Sequence, residues 1–266
     1  MLKTEMRNEK TTHIDKMSTL DMIETIQQEN YNAVKAVGEQ TKNIALAVDK
    51  ISEAFEKGGR LIYMGAGTSG RLGVLDASEC PPTFGVSYDT VIGIIAGGDG
   101  ALRKASEGAE DSVEAGINDL KKIDLCGNDV VVGISAAGGA QYVVQALLYA
   151  KSLGCVTIGV TSNEGTLLDE TADISIVTDT GAEVITGSTR MKAGTAQKLV
   201  LNMLSTGAMI KTGKVYENLM INLSAKNDKL LKRMIRIVSD VKGISESEAE
   251  VLLEKSDWNI RKAVSM

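Results

Sequence analysis

Short apolar runs alternate along the chain with longer stretches whose hydrophobic residues recur at helical spacing. Five runs are predominantly apolar and predict buried strands over 61–64, 91–95, 130–134, 156–160 and 174–177. Helix-compatible stretches such as 102–120, 142–152 and 193–211 lie between and after them. Strands that are apolar on both faces and alternate with helices are typical of a parallel sheet covered on both sides. The pattern predicts an α/β fold with a five-stranded parallel sheet flanked by helices.

Helical periodicity also precedes and follows this central region. Ser18-Thr19-Leu20-Asp21 predicts the start of a first helix, and Gly58-Gly59 predicts the end of a second. From about Ala225 the sequence becomes charged and amphipathic, which indicates a small group of helices. We therefore divide the chain into an N-terminal helical segment (1–50), a sheet domain (51–224) and a small C-terminal helical appendage (225–266).

The composition narrows the classes of function. Hydrophobic residues make up 43% and charged residues 24% of the 266, close to the average for globular proteins. A net charge of −6 argues against nucleic acid or an anionic membrane as the main partner. No apolar run reaches the roughly 18 residues of a membrane span, and the N-terminus lacks the apolar stretch of a signal peptide. We expect a cytoplasmic protein.

Few residues are available for metal or triad chemistry. The single histidine, His13, lies in a polar N-terminal stretch, which argues against a Ser-His-Asp triad and a multi-histidine metal site. Cys80, Cys126 and Cys155 are widely spaced, as expected of reduced thiols outside a disulfide or zinc framework. We predict no metal and no cofactor.

A glycine-rich loop follows the first predicted strand and matches G-x-G-x-x-G over 65–70. A dinucleotide site would also need an acidic residue at the end of the second strand. Asp89 precedes that strand and Asp99 lies too far along the chain, so the sequence lacks the acidic residue expected of an NAD-dependent enzyme. Two hydroxyls and backbone amides at a helix N-terminus favour a site for a phosphate monoester over a turn that only caps the helix. Gly67, Thr68 and Ser69 are the predicted phosphate ligands.

Two acidic positions are candidates for acid/base catalysis. Glu79 comes just before Pro81-Pro82, which we expect to stop a helix and to hold the carboxylate on a stiff turn. Glu110 lies in an acidic cluster, 107–111, on the helix predicted after the second strand. Isolated glutamates and acidic clusters are more often solvated surface groups. Loops at the carboxyl edge of one sheet would nevertheless bring both carboxylates into a shared crevice.

Long motifs in this chain closely resemble those of the N-acetylmuramic acid 6-phosphate etherase family, over roughly residues 12–260. They are Gly65-Ala66-Gly67-Thr68-Ser69-Gly70-Arg71, Asp76-Ala77-Ser78-Glu79-Cys80-Pro81-Pro82, Glu107-Gly108-Ala109-Glu110-Asp111 and Thr186-Gly187-Ser188-Thr189-Arg190-Met191-Lys192 with Ala193-Gly194-Thr195-Ala196-Gln197-Lys198. The resemblance implies the sugar-isomerase (SIS) fold, of doubly wound, flavodoxin-like type, a UBA-like C-terminal appendage and a homodimer. The family commonly continues beyond a position like Met266, which predicts a shortened appendage.

The resemblance also implies a reaction. The family cleaves the D-lactyl ether of N-acetylmuramate 6-phosphate in amino-sugar catabolism and cell-wall recycling, giving N-acetylglucosamine 6-phosphate and D-lactate. Its catalytic glutamates match Glu79, the acid that protonates departing lactate and later activates water, and Glu110, a second acid/base acting at C2 or in ring opening. The expected partner is therefore a small sugar phosphate.

One loop departs from the family's pattern. After the third strand the family usually shows Ser-Gly-Arg-Thr-Pro, whereas this chain has Ala137 and Ala140 where the hydroxyls are expected and Gly139 in place of the arginine. Ser135 remains a predicted phosphate ligand. This loss of donors keeps open a second function, a non-catalytic sugar-phosphate regulator of SIS type, as in the related glucokinase regulatory protein.

Overall fold

Five parallel strands form the centre of the computed structural model, which describes residues 1–222 and 228–266. The strands are β1 (Leu61–Gly65), β2 (Val91–Ile95), β3 (Val130–Ile134), β4 (Val156–Thr161) and β5 (Ile174–Val177). They are ordered β2-β1-β3-β4-β5. The order reverses between β1 and β3, and open α/β sheets bind ligands at the carboxyl edge of such a switch point. The predicted fold class is confirmed.

Helices cover both faces of this sheet. One face carries α1 (Thr19–Glu39), α2 (Thr41–Glu56), α3 (Gly67–Phe84) and α8 (Lys192–Lys211). After α4 (Gly100–Arg103), the other face carries α5 (Val113–Lys122), α6 (Gln141–Ser152) and α7 (Leu167–Thr171). In β1, Leu61 and Tyr63 enter the first core while Ile62 and Met64 enter the second. This two-sided burial explains the unbroken apolar runs in the sequence.

The C-terminal appendage has a core of its own. After a short hairpin of β6 (Val215–Tyr216) and β7 (Leu219–Met220), the helices are α9 (Asp228–Lys242), α10 (Glu246–Lys255) and α11 (Ile260–Ser265). Met234, Leu253 and Ile260 are fully buried between them. The predicted boundary at 224–225 lies outside the described residues. The boundary predicted at residue 50 falls inside α2, where Ala47 and Ile51 both enter the core of the sheet domain.

The N-terminal residues lie against the loops that follow β4 and β5. They form three short 3₁₀ turns, Lys3–Glu5, Glu9–Thr11 and Ile14–Lys16, before Ser18 caps α1 by accepting from the Asp21 amide. Thr11 Oγ1 donates to the Val184 carbonyl at 2.8 Å, and Asn163 Nδ2 donates to Thr4 Oγ1 at 3.1 Å. This segment therefore covers part of the carboxyl edge of the sheet.

The helix break predicted at Pro81-Pro82 is wrong. Helix α3 continues to Phe84 and ends at Gly85, whose φ of 65° is left-handed and whose amide donates to the Pro81 carbonyl at 2.9 Å. A proline removes the N–H that would bond to the carbonyl four residues earlier. Here those carbonyls belong to Ala77 and Ser78, close to the end of the helix, so only two bonds of the terminal turn are lost.

The single helix predicted over 102–120 is also wrong. Four residues of α4 are followed by a loop, a 3₁₀ turn at Ala109–Asp111, and then α5 from Val113. Gly108 has a φ of 71°, which a continuous right-handed helix excludes. Ser112 then starts α5 by accepting from the Ala115 amide at 3.3 Å. Glu110 therefore lies in a loop turn instead of on a helix face.

Candidate functional site

Helix α3 begins at the switch point of the sheet without a side-chain cap. Ala66 is its N-cap residue, and Gly67 has a φ of 53°. The first amides of a helix have no partner within it, and they carry the positive end of the helix dipole. A Cβ on Gly70 would lie 2.4 Å from the Gly65 carbonyl oxygen, so the tight strand-to-helix turn requires glycine there. The uncapped turn is thus open to an anion.

The two hydroxyls of this turn differ in their surroundings. Thr68 is half-buried, and a Cβ on Gly194 of α8 would lie 3.3 Å from its Cγ2, so the two helix starts nearly touch. Ser69 is buried, and its Oγ donates to Gln197 Oε1 at 2.9 Å. The contact of Ser69 with Gln197 was not predicted from the sequence, although Gln197 lies in the motif that begins at Thr186. Of the two predicted ligands, only Thr68 keeps a hydroxyl that no other side chain engages in the described structure.

A second uncapped helix start lies at the end of the neighbouring strand β3. Ser135 is buried and its Oγ accepts from the Gly138 amide at 3.1 Å, so this side chain shapes the loop. Gly138 has a φ of 74°, and a Cβ there would lie 2.2 Å from Thr166 Oγ1. Helix α6 then begins with Ala140 as an N-cap residue that makes no side-chain cap. Its first amides face the same edge of the sheet as those of α3.

The start of α8 is different because a carboxylate already occupies it. Glu183 is fully buried and accepts from the amides of Lys192 at 3.1 Å and Ala193 at 2.9 Å. A buried carboxylate on these amides excludes a second anion by charge repulsion. The helix starts open to a phosphate at this edge are therefore those of α3 and α6.

A buried ion pair holds the first turn of α8 in place. Lys192 Nζ donates to Glu29 Oε2 and to the Ala182 carbonyl, both at 2.6 Å. Lys10 and Asn8 also donate to the Glu29 carboxylate. Burial acts to raise the pKa of Glu29, but hydrogen bonds from Lys192, Lys10 and Asn8 outweigh it and lower the pKa to about 2. The sequence offered no signal for this pair because Glu29 resembles any polar position of an amphipathic helix.

Glu110 lies beside the start of α3. It is exposed, and with Gly67, Arg71 and residues 105–109 it lines a cavity of about 160 Å³. Arg71 holds α4, the short helix before the loop of Glu110, by donating from Nη2 to the Ala101 carbonyl at 2.6 Å and from Nε to the Leu102 carbonyl at 3.0 Å. The structure therefore brings the predicted acid/base Glu110 next to the predicted phosphate loop.

Glu79 is far from this cavity within the same chain. It lies exposed on α3, about 18 Å further along the helix axis than Gly67 at 1.5 Å per residue. The expectation that one sheet brings both carboxylates into a shared crevice is wrong for this residue. The physical reason is the continuation of α3 through Pro81-Pro82, which carries Glu79 away from the carboxyl edge.

Other features of the described residues lie outside this edge. A larger cavity, of about 930 Å³, opens at the amino end of β1 and is lined by Arg60, Asp89 and Lys211, without any of the predicted site residues. Within 1–222 and 228–266, His, Cys, Asp and Glu side chains form no group of three or more suited to a metal ion. Over the same ranges, no helix combines the length and apolar character needed to cross a bilayer.

Comparisons with known proteins show which domain and which family the chain resembles. Residues 43–151 match the model of the glucokinase regulatory protein N-terminal SIS domain, and residues 113–207 match the SIS domain. The N-acetylmuramic acid 6-phosphate etherase of Clostridium botulinum is 56% identical over 265 residues, covering 100% of this chain and 88% of that protein. The same-named protein of Cronobacter sakazakii is 51% identical, covering 100% and 89%.

Solved structures share the fold. A phosphoheptose isomerase from Francisella tularensis superimposes with a TM-score of 0.53 at 19% identity, covering 72% of this chain and 98% of that one. A protein from Escherichia coli gives a TM-score of 0.53 at 20% identity, covering 73% of this chain and 93% of that one. At these identities the likeness extends to the fold of the sheet and its flanking helices.

Proposed function

The chain belongs to the N-acetylmuramic acid 6-phosphate etherase family, and from this premise we propose that two copies of the chain build each of its active sites. The protein is a carbon–oxygen lyase that cleaves the D-lactyl ether of N-acetylmuramate 6-phosphate, giving N-acetylglucosamine 6-phosphate and D-lactate. The observation that carries the proposed site is the cavity shared by Gly67 and Glu110 beside the uncapped start of α3.

The phosphate of the substrate binds, in this proposal, at the open helix starts of the carboxyl edge. The amides of Gly67, Thr68 and Ser69 and the Thr68 hydroxyl supply donors at α3. The loop shaped by Ser135 supplies backbone amides at the start of α6. Because the buried Glu183 carboxylate repels a dianion at α8, the phosphate is confined to this side of the edge.

The sugar then extends from the phosphate towards the cavity that Glu110 lines. Ring opening exposes an aldehyde that acidifies the C2 proton, which Glu110 removes as general base. The C2 electrons form a double bond to C3 as the C3–O bond breaks, and the departing D-lactate takes a proton from Glu79. Water, deprotonated by Glu79, adds to C3, and the protonated Glu110 returns a proton to C2. Two carboxylates therefore suffice for elimination and hydration.

A second copy of the chain supplies Glu79 in this scheme. Leu75, one turn before Glu79, is 52% exposed, and Met203 on the adjoining α8 is 42% exposed. Burying these side chains against another copy removes apolar surface from water and moves Glu79 off a free surface. We place the contact of a two-fold homodimer here, with Glu79 of each subunit approaching the Glu110 loop of the other.

Mixing two inactive variants tests this arrangement. Glu79→Gln and Glu110→Gln should each lower D-lactate release by at least about 10²-fold, because each removes an acid/base group. In a shared-site dimer, a heterodimer of the two variants contains one intact site, so a re-equilibrated equal mixture should regain about a quarter of wild-type activity. Glu114→Gln, on the exposed side of α5, is the matched control and should remain active. No recovery in a mixture that forms dimers would show that each site belongs to one subunit.

The match to the glucokinase regulatory protein SIS domain supports a second candidate function, a sugar-phosphate-binding regulator without catalysis. Binding of N-acetylmuramate 6-phosphate without release of D-lactate by the unmodified protein would favour that candidate.

Because a phosphate dianion does not cross a lipid bilayer unaided, we also propose that either function is performed in the cytoplasm.

A further inference from the structure

Gln197 carries a buried amide group that is only half satisfied. Its side chain is 1% exposed and lies against the start of α3. Oε1 accepts from Ser69 Oγ at 2.9 Å, whereas Nε2 has no hydrogen-bond partner among the described residues. A buried N–H without an acceptor is costly, and native proteins contain only a few such groups. Packing alone therefore does not account for an amide at this position.

The direction of the Ser69–Gln197 hydrogen bond decides what Ser69 offers to a ligand. A serine hydroxyl has one proton and two acceptor lone pairs. While Ser69 donates its proton to Gln197, it has none left for a phosphate oxygen. Turning the carboxamide by 180° places Nε2 against Ser69 Oγ as the donor, and the hydroxyl proton is then free. The amide oxygen and nitrogen are similar in size, so the buried pocket accommodates both orientations.

We propose that Gln197 is a positioning residue that reverses this hydrogen bond when the substrate phosphate binds. In the free protein Ser69 donates to Gln197, as the structure has it. In the complex Gln197 Nε2 donates to Ser69, and Ser69 donates to a phosphate oxygen. The inference rests on the proposed function, because it requires the substrate phosphate at the start of α3.

Gln197→Glu separates this role from simple packing. A neutral carboxyl group donates or accepts as the amide does, but an ionised carboxylate only accepts and holds the Ser69 proton away from the phosphate. The KM of this variant for N-acetylmuramate 6-phosphate should therefore rise, relative to wild type, by about tenfold or more as pH rises through the ionisation of the new carboxyl. The kcat should change less, since Ser69 is not an acid/base group.

Gln197→Met is the matched control because methionine has a similar length and no ionisable group. It should raise KM at every pH by a smaller, pH-independent factor of a few-fold. In a Ser69→Ala background the methionine substitution should have no further effect, because it acts through the missing hydroxyl. The comparison of Gln197→Met with and without Ser69→Ala keeps the test decisive if Gln197→Glu does not fold.

The experiment begins with D-lactate release by the wild type and by Ser69→Ala. If Ser69→Ala leaves KM unchanged, the Ser69 hydroxyl does not contact the phosphate and the inference is overturned, whereas the phosphate site built from the backbone amides and Thr68 stands. If Ser69→Ala raises KM but Gln197→Glu follows the wild type at every pH, or Gln197→Met acts equally with and without Ser69, the phosphate site stands and the role of Gln197 is overturned. The positioning role of Gln197 is supported if the KM of Gln197→Glu depends on pH in this way and the KM of Gln197→Met does not.

Discussion

Lys192 and Glu29 form an ion pair in which both side chains are closed to solvent. Lys192 Nζ lies 2.6 Å from Glu29 Oε2, and the two side chains are 1% and 3% exposed. The pair joins the middle of α1 to the first turn of α8, which approaches Thr68 at the predicted phosphate loop. Burying two charges is costly, so the pair adds little net stability, but removing one partner leaves an uncompensated charge.

Glu29→Gln should therefore destabilise the protein by about 3–5 kcal/mol, because the Lys192 ammonium stays buried without its partner. Urea denaturation measures this free energy of unfolding. Lys10→Gln is the control: it removes another hydrogen bond to Glu29, but its side chain is 71% exposed, so its loss should cost less than about 1 kcal/mol. Equal losses in the free energy of unfolding for the two variants would contradict the expectation that Lys192 stays buried without a partner in Glu29→Gln.

The same carboxylate predicts a loss of stability in acid. The pKa of Glu29 is lowered from 4.5 to about 2 in the folded protein, so its contribution is complete above the unfolded value and is lost as pH falls towards 2. Over this window the wild type should lose about 3 kcal/mol from Glu29 alone. Between pH 6 and pH 3 about 2 kcal/mol of this is lost, so the double variant Glu29→Gln with Lys192→Met should show an acid dependence smaller by about 2 kcal/mol in urea unfolding over that range. If the free energy of unfolding of the two proteins falls in parallel with pH, the lowered pKa of Glu29 does not cause the loss of stability in acid.

Arg71→Lys should loosen α4 and, through it, the following loop that carries Glu110. The arginine spans two carbonyls, those of Ala101 and Leu102, and a lysine ammonium cannot match this planar geometry. We expect kcat for D-lactate release to fall about tenfold while KM changes little, because phosphate contacts at the start of α3 remain. Arg103→Lys, exposed at the end of α4, is the control and should behave as wild type. A rise in KM with unchanged kcat would instead make Arg71 a phosphate ligand.

The strands were predictable because burial on both faces leaves a strong local signal. Ile62 and Tyr63 face opposite cores, so the run that contains them is apolar throughout. The start of α1 was equally readable from the capping residue Ser18. Local signals of this kind depend on a residue and its immediate neighbours in the chain.

The parts that were missed depend on contacts between distant residues. Lys192 contacts Glu29, which lies 163 residues earlier in the chain, and Ser69 contacts Gln197, 128 residues later. No spacing along the sequence predicts either of these contacts. The wrong expectation for Glu79 had a different cause: a proline pair near the end of a helix costs too few hydrogen bonds to stop it.

Adding hydroxyls at the start of α6 tests where the phosphate binds. Ala140 is the N-cap residue of α6 and makes no side-chain cap, whereas Ala137 lies in the preceding loop. Ala140→Thr should raise the free energy of unfolding by about 1 kcal/mol without substrate, as a new N-cap does, and Ala137→Ser should not.

If the phosphate reaches α6, the double variant Ala137→Ser with Ala140→Thr should also lower KM for N-acetylmuramate 6-phosphate severalfold, because two hydroxyls then donate to a charged group. The single variants separate the two effects, since stability follows residue 140 alone while KM follows both. A stabilised double variant with an unchanged KM would mean that the loop carrying Ser135 does not contact the phosphate and that the start of α3 binds it alone.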